Sequence, residues 1–341
     1  MPLFKSAASE KCDLVLILTS SDVKSLLKMD EAINTVEKSF VELARGRVSM
    51  TERAVITDLK KDGWMGVMTA HLRDMRSLGS KIITVFTHNE RDGRPTTQGV
   101  VILVDPDSGD LLSIIEAGWL TAIRTGAASG VATKFLARKE SKTIGLFGAG
   151  IQARTQLMGM LCVREIESVK LYVPSRTRAE SFAAEMSQEF GIKFQIVPRP
   201  NDGLLHSDIV ITATTSKIPI FDGSRIESGT HINCVGAHTK DARELDSFAI
   251  NVARVVVDLR SSAMKEAGEI IIPMKGGNLH VDILELADVV SGKVIGRNSP
   301  SEITIFKSTG ISIEDISTAK LVYGAALRAG VGKEISMDSN S

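Results

Sequence analysis

What this sequence of 341 residues has little of narrows it first. Its three cysteines, Cys12, Cys162 and Cys234, lie far apart. They make neither a disulfide framework nor a metal-type spacing, so the expectation is a reduced, cytoplasmic protein without a metal site. Neither sign of charge is in excess: Lys plus Arg and Asp plus Glu each number 41. That balance gives no basic face for nucleic acid and no block of like charge for an interaction tail. The longest early apolar run, Leu14 to Leu18, follows Asp13 and is too short for a signal-peptide core or a membrane span. Internal repeats and low-complexity tracts are absent as well. Any cationic function must therefore be local, a few Arg and Lys converging on one pocket.

What is present is an ordinary globular composition, 43% hydrophobic and 24% charged, on a chain long enough for two domains. Residues 1 to 12 read as a loose leader and Lys333 to Ser341 as a frayed tail. From Ser20 to Gly46, Val23, Leu26, Leu27, Ile33, Val36, Phe40 and Leu43 recur at helical steps. Short β-like pieces follow: Ala54–Leu59, Trp64–Thr69, Lys81–Phe86 and Gly99–Val104. Turn residues such as Asp62-Gly63 and Asp92-Gly93-Arg94-Pro95 separate them, which predicts an antiparallel sheet and an α+β first half.

A small-residue helix, Thr121 to Leu136, leads into strands alternating with helices. The strands are Thr143–Phe147, Ser168–Val173, Phe194–Val197, Asp208–Thr212, His231–Val235 and Val255–Asp258, and the helices are Gln152–Arg164 and Arg178–Phe190. This alternation predicts an α/β Rossmann domain, a doubly wound parallel sheet. The last helix, Ile313 to Ala329, is read as packing back on the first half. The division that follows is 13–125 with 312–335, and 126–311.

Gly148-Ala149-Gly150-Ile151-Gln152-Ala153 has the form G-x-G-x-x-A and joins the strand Thr143–Phe147 to the next helix. The first glycine permits the tight turn, the second lets a pyrophosphate approach the backbone, and Ala153 lets helix and strand pack closely. Phosphates would sit on the N–H groups at the helix start. After the second strand, an NAD-binding chain carries an acidic residue for the ribose 2′-hydroxyl. Here the tip reads Ser175-Arg176-Thr177, donors and a positive charge suited to a 2′-phosphate. NADPH is the expected cofactor, with NADH accepted more weakly.

Arg53, Lys81 and Arg124 stand among apolar and small residues. A cation in such surroundings needs an anionic partner. Alone, each reads as a structural salt bridge; together, they suit a substrate carboxylate.

Residues 53 to 322 resemble the ornithine cyclodeaminase/mu-crystallin family. The resemblance is carried by Gly66-Val67-Met68, Leu78-Gly79-Ser80-Lys81, Pro95-Thr96-Thr97-Gln98-Gly99 and Leu120-Thr121-Ala122-Ile123-Arg124-Thr125-Gly126. It continues through Gly148–Ala153, His231-Ile232-Asn233-Cys234-Val235-Gly236-Ala237, Arg243-Glu244-Leu245-Asp246 and Phe306-Lys307-Ser308-Thr309-Gly310-Ile311 with Glu314-Asp315. The resemblance implies a homodimer built through an α+β substrate-binding and dimerisation domain, with a Rossmann domain at each end. It implies that Arg53, Lys81 and Arg124 bind the α-carboxylate of an amino or imino acid. It implies further that Thr125, Val235, Gly236, Ser308 and Gly310 join the glycine turn in holding the dinucleotide.

Two departures set the chain apart from ornithine cyclodeaminases. Where they carry an Asp as acid/base on the substrate nitrogen, this chain has His238. Where they carry a Glu for the distal amine, it reads Trp64-Met65-Gly66-Val67-Met68, which is similar to mu-crystallin. Cyclodeamination needs proton traffic at two nitrogens. Reduction of a cyclic ketimine asks less, because the iminium already carries its proton. The expected activity is reduction of Δ1-pyrroline-2-carboxylate or Δ1-piperideine-2-carboxylate, with Lys81 and His238 as the candidate catalytic residues. Ornithine cyclodeaminase or an alanine-dehydrogenase-like activity remains open, as does a non-catalytic NADP-dependent ligand-binding role.

Overall fold

The structure, a computed structural model, describes residues 14–58 and 63–337. The loose leader read at residues 1 to 12 lies outside the described residues, as do Leu59 and the last four residues of the tail. The chain begins with β1 (Leu14–Leu18), α1 (Ser20–Leu26), α2 (Met29–Ala44), β2 (Val48–Met50) and β3 (Ala54–Asp58). Next come β4 (Gly63–Leu72), β5 (Ser77–Phe86), β6 (Thr97–Val104), β7 (Leu111–Glu116) and α3 (Ala117–Leu136). The parallel region follows: β8 (Thr143–Phe147), α4 (Ile151–Val163), β9 (Ser168–Tyr172), α5 (Arg176–Phe190), β10 (Lys193–Ile196), α6 (Pro200–Leu204), β11 (Ile209–Thr212) and β12 (His231–Cys234). It ends with α7 (Ser247–Val252), β13 (Arg254–Val257), α8 (Arg260–Glu266), α9 (Gly268–Lys275), β14 (Ile283–Glu285), α10 (Leu286–Val290), β15 (Thr304–Lys307), α11 (Ser312–Ala329) and β16 (Lys333–Ser336).

Among the described residues, no helix is long and apolar enough to cross a membrane. The chain divides into two compact units. One takes the chain up to Lys28, Gly46–Thr121 and everything from Asp315; the other takes Met29–Arg45 and Ala122–Glu314.

The first unit holds a mixed sheet in the order β16-β1-β7-β6-β5-β4-β2, with β3 also paired to β4. From β7 to β2 the neighbours are antiparallel, as the turn residues predict. β1 adds to β7 in parallel, and the Ser113 hydroxyl donates to the Leu16 carbonyl at 2.5 Å. The tail read as frayed is in part the strand β16, antiparallel to β1 from Leu14↔Ser336 to Ile17↔Lys333. Its exposed, largely polar side chains give no hydrophobic signal; it forms because the outer edge of β1 needs backbone partners. The single helix read from Ser20 breaks at Leu27, whose extended backbone caps α1. Thr19 starts that helix with a capping box to Asp22, each side chain meeting the other's backbone N–H.

The second unit is built on an eight-stranded sheet in the order β10-β9-β8-β11-β12-β15-β13-β14. All its neighbours are parallel. Both faces are covered, so Ile209-Val210-Ile211-Thr212 is buried throughout. Ile209 and Ile211 pack with Ile144, Leu146, Ala153, Leu157 and Met160 on one face. Val210 packs with Phe147, Ile232 and Ile305 on the other. Helix α2 belongs to this unit: Ile33 packs against Gly130 of α3, and α2 lies against α4 and α10. α3 and α4 approach so closely that a Cβ on Gly126 would strike the Thr155 carbonyl and one on Gly159 the Gly126 carbonyl.

Candidate active site

The chain direction across the parallel sheet reverses between β8 and β11, the place where such sheets bind ligands beyond their carboxyl ends. The glycine turn stands there. Gly148 has φ +115°, and a Cβ on it would collide with the Ala213 carbonyl that follows β11. Gly150 is the N-cap of α4 and brings no side chain to the first N–H groups of that helix. A Cβ there would meet nothing within 4 Å, so the turn is open on that side. Ala153 is fully buried against the strand layer, Ile151 is exposed, and Gln152 Oε1 is buried without a partner among the described residues. An open cradle of N–H groups at a helix start fits a dinucleotide's pyrophosphate.

At the carboxyl end of β9, Ser175 caps α5 by accepting the Arg178 N–H at 3.4 Å, and Arg176 and Thr177 open the helix. Arg176 is 78% exposed and pairs with Glu180 one turn on, at 2.8 Å. An exposed pair of this kind is weak, so the guanidinium can exchange Glu180 for a phosphate at little cost.

Of the remaining expected cofactor residues of this unit, one lies in α3 and the others follow strand ends. Thr125 is buried in α3 and its carbonyl accepts from Gln156 Nε2 at 3.1 Å. Val235 and Gly236 follow β12 and are half-buried; His238, exposed, has Nδ1 3.3 Å from the Gly236 carbonyl. Ser308 and Gly310 follow β15 in a turn organised by Asp258, a fully buried carboxylate at the end of β13. Asp258 accepts the N–H groups of Thr309 at 2.7 Å and Gly310 at 2.6 Å, the Leu259 N–H at 2.8 Å and the Ser308 hydroxyl at 3.2 Å. Gly310 has φ +78°, and a Cβ on it would lie 2.5 Å from Arg124 Nη1. Arg124 is buried, seated on this glycine, with Nη1 donating to Glu314 Oε2 at 2.5 Å. The parallel unit thus brings Arg124 and Gly310 together.

In the first unit, Lys81 lies mid-way along β5, buried, with Nζ 2.7 Å from Asp315 Oδ1. Its cross-strand partner on β4 is Met68. Arg53 precedes β3, lays its stem over Gly66 and donates from Nε to Met68 Sδ at 3.4 Å. Arg53 and Lys81 therefore flank one methionine. The carboxylates that hold the buried cations, Glu314 and Asp315, are consecutive residues quoted above without a role. Asp258 and Glu269 were missed altogether. One signal was available for Glu269: it stands in Gly268-Glu269-Ile270-Ile271-Ile272, a charge amid apolar residues like Arg124.

A doubly wound sheet with a glycine turn at its switch point defines a Rossmann-type dinucleotide-binding protein. The chain belongs to the ornithine cyclodeaminase/mu-crystallin family, whose model matches residues 14–330. It is 35% identical over 324 residues to a Δ1-pyrroline-2-carboxylate reductase of Bacillus cereus, covering 94% of this chain and 99% of that one. Among solved structures, the Δ1-pyrroline-2-carboxylate reductase of Thermococcus litoralis, in complex with NADH and L-proline, superposes with a TM-score of 0.92. It is 43% identical over 94% of this chain and 100% of that chain. An archaeal alanine dehydrogenase dimer with bound NAD gives a TM-score of 0.88 at 35% identity, covering 95% of this chain and 100% of that one.

Proposed function

We propose that the chain is an NAD(P)H-dependent reductase of cyclic imino acids, acting on Δ1-pyrroline-2-carboxylate or its six-membered homologue. The observation that carries the reading is the buried guanidinium of Arg124, seated on Gly310 in the unit that holds the dinucleotide turn. The Bacillus cereus and Thermococcus litoralis relatives, named for the five-membered substrate, support it. A bound nicotinamide supplies the hydride for the imine carbon. Arg124, with Arg53 and Lys81, holds the substrate carboxylate and so fixes that carbon. His238 or Lys81 exchanges the proton on nitrogen with solvent. The assay that tests the reading is oxidation of NADPH by Δ1-pyrroline-2-carboxylate, set against NAD reduction by ornithine. Ornithine is a poor substrate on this reading, because no carboxylate stands at Trp64–Met68 and His238 replaces the usual Asp. Ornithine turnover comparable with imine reduction would reverse the assignment.

NADPH is the preferred donor on this reading, on the strength of Ser175, Arg176 and Thr177, and NADH serves more weakly. Arg176→Ala removes one charge-assisted contact to the 2′-phosphate and weakens NADPH by about tenfold or more while leaving NADH nearly unchanged. Titration calorimetry of both nucleotides decides it; equal affinities in the parent protein would sink the NADPH assignment. The working form is a homodimer. Exposed Ile56 on the edge strand β3 and its cross-strand partner Met65 on β4 share one face and offer it an apolar surface. The dimeric archaeal alanine dehydrogenase supports the same reading.

A further inference from the structure

Under the loop that follows β12 lies a set of buried charges to which the proposed reaction gives no part. Glu244, Glu269, Lys307 and Cys234 are all fully buried. Glu244 Oε2 accepts the Gly236 N–H and the Thr212 hydroxyl, each at 2.8 Å. Glu244 Oε1 accepts the Thr214 N–H and hydroxyl, each at 2.7 Å. Lys307 Nζ donates to the Ala237 carbonyl and pairs with Glu269 Oε2 at 3.2 Å. Glu269 Oε1 in turn accepts the Glu244 N–H at 2.8 Å. Residues 236 and 237 are therefore held by opposite charges, a carboxylate on the N–H of one and an ammonium on the carbonyl of the next. A side chain at 236 is excluded, since its Cβ would run into the Thr214 carbonyl and Glu244 Oε1.

Burial costs all these groups solvation. It raises the Glu244 carboxyl against the pull of Lys307 and Thr214, and it raises the Cys234 thiol, which stays protonated beside Glu269. Burial also pulls the Lys307 ammonium down, but the acidic groups around it outweigh that and hold it charged. The ligating atoms of Cys234, Glu244 and Glu269 lie within 4.8 Å of one another, as a metal site would have them. Lys307 already supplies a cation there, 3.8 Å from Cys234 Sγ. Apolar residues of like volume often serve stability as well as a buried ionic set, so a role beyond stability is to be sought. What the set does locally is fix the backbone at Thr214, Gly236 and Ala237, inside the segment that leads to His238.

We propose that Glu244, supported by Lys307 and Glu269, is a positioning residue for the reduction. It holds the Val235–His238 segment in the one backbone conformation that presents His238 and Gly236 to the nicotinamide. The proposal rests on the reading of that segment as part of the cofactor site. In Glu244→Gln the side-chain volume is kept, but an amide NH2 replaces one acceptor oxygen and cannot take an N–H. For NADPH with Δ1-pyrroline-2-carboxylate, kcat falls about tenfold or more, while KM for the imino acid stays within about threefold. Hydrogen exchange at the Gly236 amide speeds up. Paired with His238→Asn, the two losses are strongly non-additive, because Glu244 acts through the segment that carries His238.

Additive losses, or an unchanged kcat in folded Glu244→Gln, overturn the proposal. Should Glu244→Gln fail to fold, Lys307→Met with Glu269→Gln removes the ion pair as a neutral unit and is read the same way. Collapse of both variants would make the set a folding element and likewise overturn it. Faster Gly236 exchange in Glu244→Gln of a protein whose wild type reduces no cyclic imino acid would separate the two readings. The tether would then stand and the proposed function would fall.

Discussion

Arg124→Met should lose imine reduction by roughly 100-fold or more, about 3 kcal/mol of transition-state stabilisation, with NADPH affinity nearly unchanged. The guanidinium sits between the Gly310 backbone and the Glu314 carboxylate, and Met keeps most of its bulk without the fork of donors. Because Glu314 is itself fully buried, the substitution also lowers stability, and activity is to be compared at a temperature where both proteins are folded. Adding Glu314→Gln removes the buried charge that Arg124 had faced and should recover part of the melting temperature without restoring activity. The discriminating measurement uses a substrate analogue with an amide in place of the carboxylate. Wild type strongly prefers the carboxylate; Arg124→Met prefers it far less. If both proteins show the same preference, Arg124 is a structural cation and the carboxylate lies elsewhere.

Acid should destabilise the parallel unit well before general carboxylate protonation, through His231. Burial, and after it the charges of Arg297 and Arg164, lower this imidazole from 6.5 to about 3. Its Nδ1 meets Thr304 Oγ1 at 3.0 Å, and its Nε2 has no partner among the described residues. In the unfolded chain the imidazole takes a proton near pH 6.5; in the folded protein it takes none until about pH 3. Between those values the unfolded state binds more protons, so stability is complete above the upper one and falls as pH falls toward the lower. The full loss approaches roughly 5 kcal/mol, of which about 2 kcal/mol is spent by pH 5. Urea unfolding of wild type and His231→Leu at pH 7 and pH 5 reads this directly. The variant should lose about 2 kcal/mol less between the two pH values than wild type does. Equal losses would mean that His231 takes up its proton as readily in the native protein as in the unfolded chain.

The centre of the parallel unit was legible because strands such as β8 and β11 are buried along nearly their whole length and read as short apolar runs, while β9 and β10 show by their alternation with helices. β15 escaped notice because Thr304 and Lys307 bracket only two apolar residues. β1 and β16 escaped because their pairing joins opposite ends of the chain, and nothing local in Lys333–Ser336 announces it. The same contrast holds at the site. The glycine turn is backbone chemistry: at Gly148 the positive φ and the nearby Ala213 carbonyl require glycine, so the turn shows in the sequence. Arg124 and Lys81 show as cations in uncharged surroundings. Their counter-ions do not, because Glu314 and Asp315 lie 190 and 234 residues from the cations they hold. Asp258 reads as nothing more than the polar end of a strand until the turn it organises is seen.

The close approach of α3 and α4 acts as a ruler. Glycine stands at 126 and 159 because carbonyls of the facing helix occupy the space a side chain would need, and Gln156 clips the Thr125 carbonyl from α4. Sliding one helix along the other would break that clip and set carbonyl against carbonyl, so the pair has one register. The first turn of α4 carries the proposed phosphate cradle, and α3 carries Arg124. The spacing from cradle to guanidinium is thereby a fixed length, written in main-chain atoms. On the proposed reading, a change of ring size is met by the side chains around the substrate and not by this length.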